Sequence, residues 1–328
     1  MTRYFPTTHS TLSVKALLSE VLQGYDLPTI TALKFLNIGL NDTYVARAED
    51  DQKYILRIYR TPWRTLPEVS YEIDALNHLH RRGVAIARPI LRKDGKFTCA
   101  LSAIEGTRYA VVFTYAPGRP FAYEEEDLGK MFHYGKLVAT IHSSTQDFSS
   151  VHNRFSIDLE HLLDAPLRSI APMLAHRKGD WHYLQQIADT IRHRFAALPS
   201  NDLEEGFCHG DFHPGNVHFV NDETAMVFDF DGCGWGWRAY DVAVFRWSAR
   251  LREKETLCWE PFLRGYQAVR AIADVDLRAI PLFIGIRHFF LLGVHTGNGQ
   301  DWGFGWMNEK YFDEAIAFFK AWEAEHLR

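Results

Sequence analysis

A chain of 328 residues, 47% hydrophobic and 14% aromatic, is long and apolar enough for two domains or lobes, each with a core of its own. Its formal net charge of −5 provides no global basic field, so binding to nucleic acid is not expected. The four cysteines, Cys99, Cys208, Cys233 and Cys258, include no CxxC pair, which fits free thiols in a reducing cytosol and not a disulfide framework.

Residues 1–12 carry no apolar signal core. Val14, Leu17, Leu18 and Val21 then fall at helical spacing and predict a short opening helix that ends at Gly24. Residues 30–36, 43–48 and 53–59 read as three strands, with hairpin turns at 39–42 and 49–51. In the third strand Arg57 interrupts an apolar run. Such a residue either faces solvent on an edge strand or grips an anion, since a guanidinium stays charged and can hold two oxygens at once. A helix is predicted over 67–82, with Pro67 in its first turn, Arg81 and Arg82 in its last, and Gly83 just beyond. Glu72 sits on or beside its inward stripe of Val69, Ile73, Leu76 and Leu79, where a carboxylate needs a partner; Arg57 is the natural candidate. Glu68, one turn earlier, reads as solvated. A further strand over 109–115 runs into Pro117 and Gly118, which mark a linker, so the lobe boundary is placed between 115 and 116.

The second lobe opens with a buried helix over 127–144, on which His142 reads as a core histidine with a hydrogen-bond partner. Two helices with a polar break at 177–180 follow. The centre of the chain is Phe207-Cys208-His209-Gly210-Asp211-Phe212-His213-Pro214-Gly215-Asn216, then two short apolar runs around an Asn-Asp break, which read as a β-hairpin. If Val220 pairs with Ala225, antiparallel register sets Asn216 opposite Asp229, and an amide and an acid meet at the open end of the ribbon with Asp211 just before it. Residues 231–238, rich in glycine and tryptophan, read as a flexible loop. Asp241 opens a helix, where a carboxylate caps free N–H groups. Three more helices are predicted over 257–273, 277–294 and 309–325. The most apolar stretch, 280–294, carries Arg287 and His288 and is expected to be too short to cross a bilayer, so no membrane association and a cytoplasmic location are expected. Trp302, Trp306, Asp301 and Glu309 near one junction suit core tryptophans and surface acids, or a cationic ligand held by cation–π contact.

Two rival readings of the central motif concern metal and phosphoryl chemistry. His209, Asp211 and His213 alternate as ligands of a hydrolytic metal would, although no further His or Cys cluster exists to complete a zinc site. Phe228-Asp229-Phe230-Asp231-Gly232 looks like the nucleophile motif of haloacid dehalogenase-type phosphatases, but the tail after it reads as helices and not as a doubly wound region.

Asp211 and Asn216 have the spacing of the catalytic loop of protein kinases, and Asp229 corresponds to the first residue of the later D-F-G motif. With His209-Gly210-Asp211 and with Asp241 in Ala239-Tyr240-Asp241-Val242-Ala243, the chain resembles the aminoglycoside phosphotransferase, choline kinase and type II homoserine kinase superfamily. The resemblance implies an α+β, protein-kinase-like two-lobe fold. Residues 1–115 would form a small antiparallel-sheet lobe with one key helix that binds nucleotide, and residues 116–328 a larger, mainly helical lobe for catalysis and substrate. It implies ATP and Mg²⁺, with Asn216 and Asp229 on the metal and Asp211 as catalytic base. Arg57, standing where the family has lysine and paired with Glu72, would hold the α- and β-phosphates. The turn carrying Gly39 and Asn41 would cover phosphates, and main-chain groups of Thr114 and Ala116 would bond the adenine. His209, Asp231 and Asp241 would support the site, Asp241 by bracing the catalytic loop and Asp231 by reaching a second metal or the substrate. The implied reaction transfers the γ-phosphate to a hydroxyl of a small molecule of the homoserine, amino alcohol or aminoglycoside type. A protein kinase of the same fold and a metal-dependent hydrolase are the alternatives; the first is disfavoured because no A-P-E segment or activation loop lies between Asp231 and Asp241. Oligomeric state is not legible.

Overall fold

The computed structural model describes residues 6–199 and 202–327. The chain divides into two compact units: Met1–Pro117 with Phe148–Arg154 and Met226–Asp231, and Gly118–Asp147 with Phe155–Ala225 and Gly232–Arg328. A single cut after residue 115 therefore differs from the observed division by two later segments that join the first unit.

In the first unit a short helix α1 (Val14–Ala16) precedes five strands: β1 (Ile30–Ile38), β2 (Asn41–Ala48), β3 (Lys53–Tyr59), β4 (Cys99–Ala103) and β5 (Gly106–Thr114). They form one antiparallel sheet in the order β1-β2-β3-β5-β4. Leu33, Tyr44, Ala46, Leu56, Ile58, Ala110 and Val112 bury one face of it under Leu17, Val21 and Leu22 of the opening segment. The first hairpin is tighter than the 39–42 turn predicted, because Asn41 and Asp42 belong to β2. Asp42 is fully buried, and its Oδ2 accepts from Arg108 Nη2 on β5 at 2.7 Å. Helix α2 (Leu66–Arg81) begins with a capping box in which Thr65 N and Oγ1 both donate to Glu68 Oε2 at 2.8 Å, so Glu68 caps the helix. The segment from Met226 is laced onto this unit by Ala87 N donating to Val227 O (2.9 Å) and Val227 N to Ala85 O (3.1 Å).

The second unit contains helices α3 (Leu128–Ser144), α4 (Ala165–Ile170), α5 (Lys178–Ala196), α6 (Arg238–Arg250), α7 (Glu255–Gln267), α8 (Asp274–Gly297), α9 (Gly299–Trp302) and α10 (Glu309–His326). A small sheet runs β6-β10-β7, from Ser156–Ile157, Gly234–Trp237 and Glu205–Cys208. Gly234–Trp237 is thus a strand and not the loop that its composition suggests. Here glycine serves close approach: a Cβ on Gly236 would stand 2.6 Å from Ile157 Cβ and equally near Ile157 O.

Strands β8 (Val217–Phe219) and β9 (Ala225–Val227) make the expected ribbon, with its register one residue away from the one predicted. Val220 N donates to Thr224 O at 2.9 Å, so Val220 does not pair with Ala225 and strand register does not set Asn216 opposite Asp229. The cause is local. Asn221 Oδ1 accepts from both Glu223 N (3.0 Å) and Thr224 N (2.8 Å), tightening the turn by one residue. A further correction concerns α8, whose 24 residues include an 18-residue window of mean hydropathy 1.6, long and apolar enough by length and composition to cross a membrane, with 61% of that window buried inside the protein.

Candidate active site

In the first unit the site is built on β3 and α2. The strand turns Arg57 inward and the helix presents Glu72 from its buried stripe; Arg57 Nη1 donates to Glu72 Oε1 at 2.9 Å and Tyr59 OH to Glu72 Oε2 at 2.8 Å. The other arm, Nη2, donates to Asp229 Oδ1 at 2.8 Å. Asp229 sits just past β9 at φ +65°, and its side chain keeps 44% of its surface exposed. Burial alone would lower the Arg57 pKa, but Asp229, Tyr59 and Glu72 reverse that and hold the guanidinium charged. Burial raises Glu72 above its ordinary value, with Arg57 opposing it.

The other predicted residues of this unit are Asp231, Thr114, Gly39, Asn41 and Ala116. Asp231 is anchored within the unit: its Oδ2 accepts from Trp63 Nε1 at 2.8 Å and its Oδ1 from Arg64 Nε at 2.9 Å, while Arg64 and Arg154 also donate to its carbonyl. Thr114 N donates to Arg88 O at 2.9 Å and Thr114 Oγ1 accepts from Arg88 N at 3.0 Å, so of the Thr114 main-chain groups the N–H is bonded to Arg88. Gly39 lies in the β1–β2 loop, its carbonyl accepting from Arg60 Nη1 at 2.8 Å, whereas Asn41 is buried in β2 with Oδ1 unpaired. Ala116, two residues beyond the end of β5, is buried.

In the second unit the loop after β7 carries Asp211. Asp241, near the start of α6 and fully buried, accepts from His209 N (2.7 Å), Gly210 N (2.8 Å) and His142 Nε2 (3.0 Å), which fastens this loop to α6 and α3. His142 is the bonded core histidine expected, its Nδ1 meeting Tyr266 OH at 2.9 Å. His209 is buried, stacked on Phe212 at 4.4 Å, and its Nδ1 accepts from Asp211 N at 3.2 Å. Asn216 Nδ2 donates to Asp211 Oδ2 and to Asp211 O, each at 3.0 Å, so the amide nitrogen is taken and the amide oxygen is the group left to ligate. Arg287 Nη2 from α8 donates to Asp211 Oδ1. His213 Nε2 stands 3.5 Å from Asp211 Oδ2. Burial would push the Asp211 pKa up; Arg287 first, then His213, override it and hold the carboxyl well below the usual range.

The sequence matches the APH phosphotransferase enzyme family over residues 33–276. The chain belongs to this family. A protein of Deinococcus radiodurans without an assigned activity is 35% identical over 328 residues, 99% of this chain and 94% of that one. Amicoumacin kinase of Bacillus subtilis is 26% identical over 277 residues, 80% of this chain and 79% of that one. Among solved structures, amicoumacin kinase hAmiN in complex with AMP-PNP, Ca²⁺ and Ami superposes with a TM-score of 0.77 at 23% identity, covering 96% of this chain and 94% of that one. The fold is therefore the α+β, two-lobe kinase-like fold, with a five-stranded antiparallel sheet and helix in the first lobe and a larger helical second lobe.

As an APH-family phosphotransferase, the protein carries hard oxygen donors of the kind a divalent cation takes, and each is described within its own unit: the Asp229 carboxylate in the first, the Asn216 amide oxygen in the second. Among the described residues no group of three or more His, Cys, Asp or Glu is placed to hold a metal ion. Mg²⁺ takes few protein ligands and completes its shell with phosphate and water oxygens, so it does not call for such a cluster. Sequence reasoning missed Arg287, Trp63, Arg64 and Arg154. Arg287 left one signal, a charge in the most apolar helix, which must be paired or cost several kcal/mol.

Proposed function

We propose that this APH-family kinase transfers the γ-phosphate of ATP to a hydroxyl of a small molecule of the homoserine, amino alcohol or aminoglycoside type. The observation that carries the reading is Asp211: an ionised carboxylate, partly exposed, on a loop braced by Asp241 and bonded by Asn216. In that role it accepts the proton of the acceptor hydroxyl as the alcohol oxygen attacks phosphorus. Arg57, made rigid by Glu72 and Asp229, supplies a fixed positive charge for the α- and β-phosphates, as the family's lysine does. Mg²⁺, held by Asn216 and Asp229, would neutralise charge developing on the phosphates. A guanidinium with two carboxylate partners is a coherent replacement for lysine, because its planar fork serves both at once where an ammonium is a single point charge.

The test is ATP consumption against a panel of hydroxylated metabolites and aminoglycosides, with product phosphorylation read by mass. Asp211→Ala should abolish transfer while nucleotide still binds. Retained turnover in that variant removes Asp211 from its role, and a panel in which protein substrates alone are labelled replaces the small-molecule acceptor.

A further inference from the structure

Among the described residues the Asp211 carboxylate has one close donor on each oxygen, with His213 Nε2 standing farther off, 3.5 Å from Oδ2. Asn216 Nδ2 reaches Oδ2 at 3.0 Å, and Arg287 Nη2 reaches Oδ1. Asn216 comes from the same loop, so it moves with Asp211; Arg287 comes from the middle of α8, the longest helix of the second unit. The terminal torsion of an aspartate is broad, and the side chains of its own loop, Asn216 and His213, face Oδ2, whereas the donor on Oδ1 is Arg287. Arg287 itself has little freedom. It is 4% exposed, its Cζ lies 5.0 Å from the Trp247 ring centre and 5.5 Å from that of Phe290, and Nη1 has Gly210 O at 3.3 Å and Tyr240 OH at 3.4 Å.

We propose that Arg287 is the positioning residue for Asp211, aiming the lone pair that takes the acceptor proton; the inference rests on the reading of Asp211 as proton acceptor given above. In the step concerned, the acceptor oxygen bonds to the γ-phosphorus and the bond from that phosphorus to the β,γ-bridging oxygen breaks. The electron pair leaves on ADP, and the hydroxyl proton passes to the Asp211 carboxylate. A carboxylate has about four lone-pair sites, so with one donor on each oxygen it still has acceptor capacity, and the donors decide where that capacity points. The contacts of the guanidinium with the Trp247 and Phe290 rings make the direction a property of α6 and α8, which are regular helices, and not of the loop.

A purely structural ion pair would have the same contacts, so the experiment separates stability from turnover. Arg287→Met should lower kcat by about 10²-fold, the scale of loss for a reacting group displaced by about an ångström, with KM for ATP unchanged. Arg287→Lys, which keeps the charge, should recover part of that loss, and methylguanidinium added to Arg287→Ala should restore turnover in a concentration-dependent way. Trp247→Leu keeps the arginine and loosens its seat; it should lower kcat without altering nucleotide affinity, and it carries the test if Arg287→Met fails to fold. Wild-type kcat in a folded Arg287→Met, or a kcat loss that neither lysine nor methylguanidinium relieves and that Trp247→Leu does not reproduce, overturns the proposal. If instead Asp211→Ala is fully active, the underlying reading of Asp211 has failed, whatever Arg287 does.

Discussion

Arg57 and Glu72 show how far one residue can be understood from its neighbours in sequence. A helix stripe that leaves a carboxylate facing inward and a strand that carries an unexplained arginine define complementary needs, and the ion pair at 2.9 Å meets both. Glu72 is completely buried, and Arg57 nearly so. Removing one partner of such a pair strands the other in a dry site, so Glu72→Ala should cost about 3–5 kcal/mol of stability in chemical denaturation. Asp229→Ala should cost less, because that carboxylate is 44% exposed and water screens its half of the interaction. Equal losses for the two would place the stabilisation outside the buried pair. Asp231 and Arg287 mark the opposite limit. Nothing near Asp231 in sequence announces Trp63 and Arg64, and nothing near Asp211 announces a guanidinium from α8.

Elements were legible where one periodicity dominated. Helix α2 begins and ends within a residue of its prediction because Pro67, Gly83 and the apolar stripe agree. Strand β10 was not, since Gly234 and Gly236 carry no strand propensity and are chosen by the approach of Ile157. The ribbon slipped by one residue because a side chain, Asn221, and not the apolar pattern, sets its turn. The same close-approach logic governs helix α3 against α7. A Cβ on Gly135 would lie 2.0 Å from Phe262 O, and one on Gly265 would lie 1.9 Å from Phe132 O, so the two backbones touch through both glycines. Gly135→Ala should therefore destabilise the second unit by about 1–3 kcal/mol or more, despite alanine's better helix propensity. A neutral or stabilising change in thermal denaturation would mean that the two helices can separate freely. The pair Gly135→Ala and Gly265→Ala should cost less than the sum of the singles, since the first already parts the helices.

At the scale of the molecule, charge and ligand linkage give two measurements. His288 is packed against Phe318 at 3.8 Å and accepts from Trp247 Nε1 at 3.2 Å, and burial, then His295 and Arg287, press its pKa down to about 3; burial, then Arg287, presses His295 to about 4. Both lie below the ordinary histidine value near 6.5, so the unfolded chain binds more protons throughout that interval. Their contribution to stability is complete above about pH 6.5 and is lost progressively as pH falls toward 4 and then 3. Melting temperature should fall across this window, and His288→Gln should flatten the fall; an unchanged acid limb removes His288 from it. Nucleotide linkage is the second. Mg²⁺-ATP at 100 times its Kd should stabilise the wild type by about 2.7 kcal/mol, and Asp229→Ala should lose most of the Mg²⁺-dependent part of that shift. A full shift in Asp229→Ala would take this residue off the metal.

The order of residues along the chain was enough to point to the family and the two-lobe α+β class and to single out Asp211, Asn216, Asp229, Arg57 and Glu72 as candidates, because each is carried by a local spacing or by the period of its own helix or strand. The tertiary structure decided which donors those groups meet: Arg287 on Asp211, Trp63 and Arg64 on Asp231, Arg88 on Thr114. Local patterning encodes the direction a side chain faces. The partner waiting there is brought from a distant segment by burial of apolar surface, which is non-directional and leaves no mark at the receiving residue.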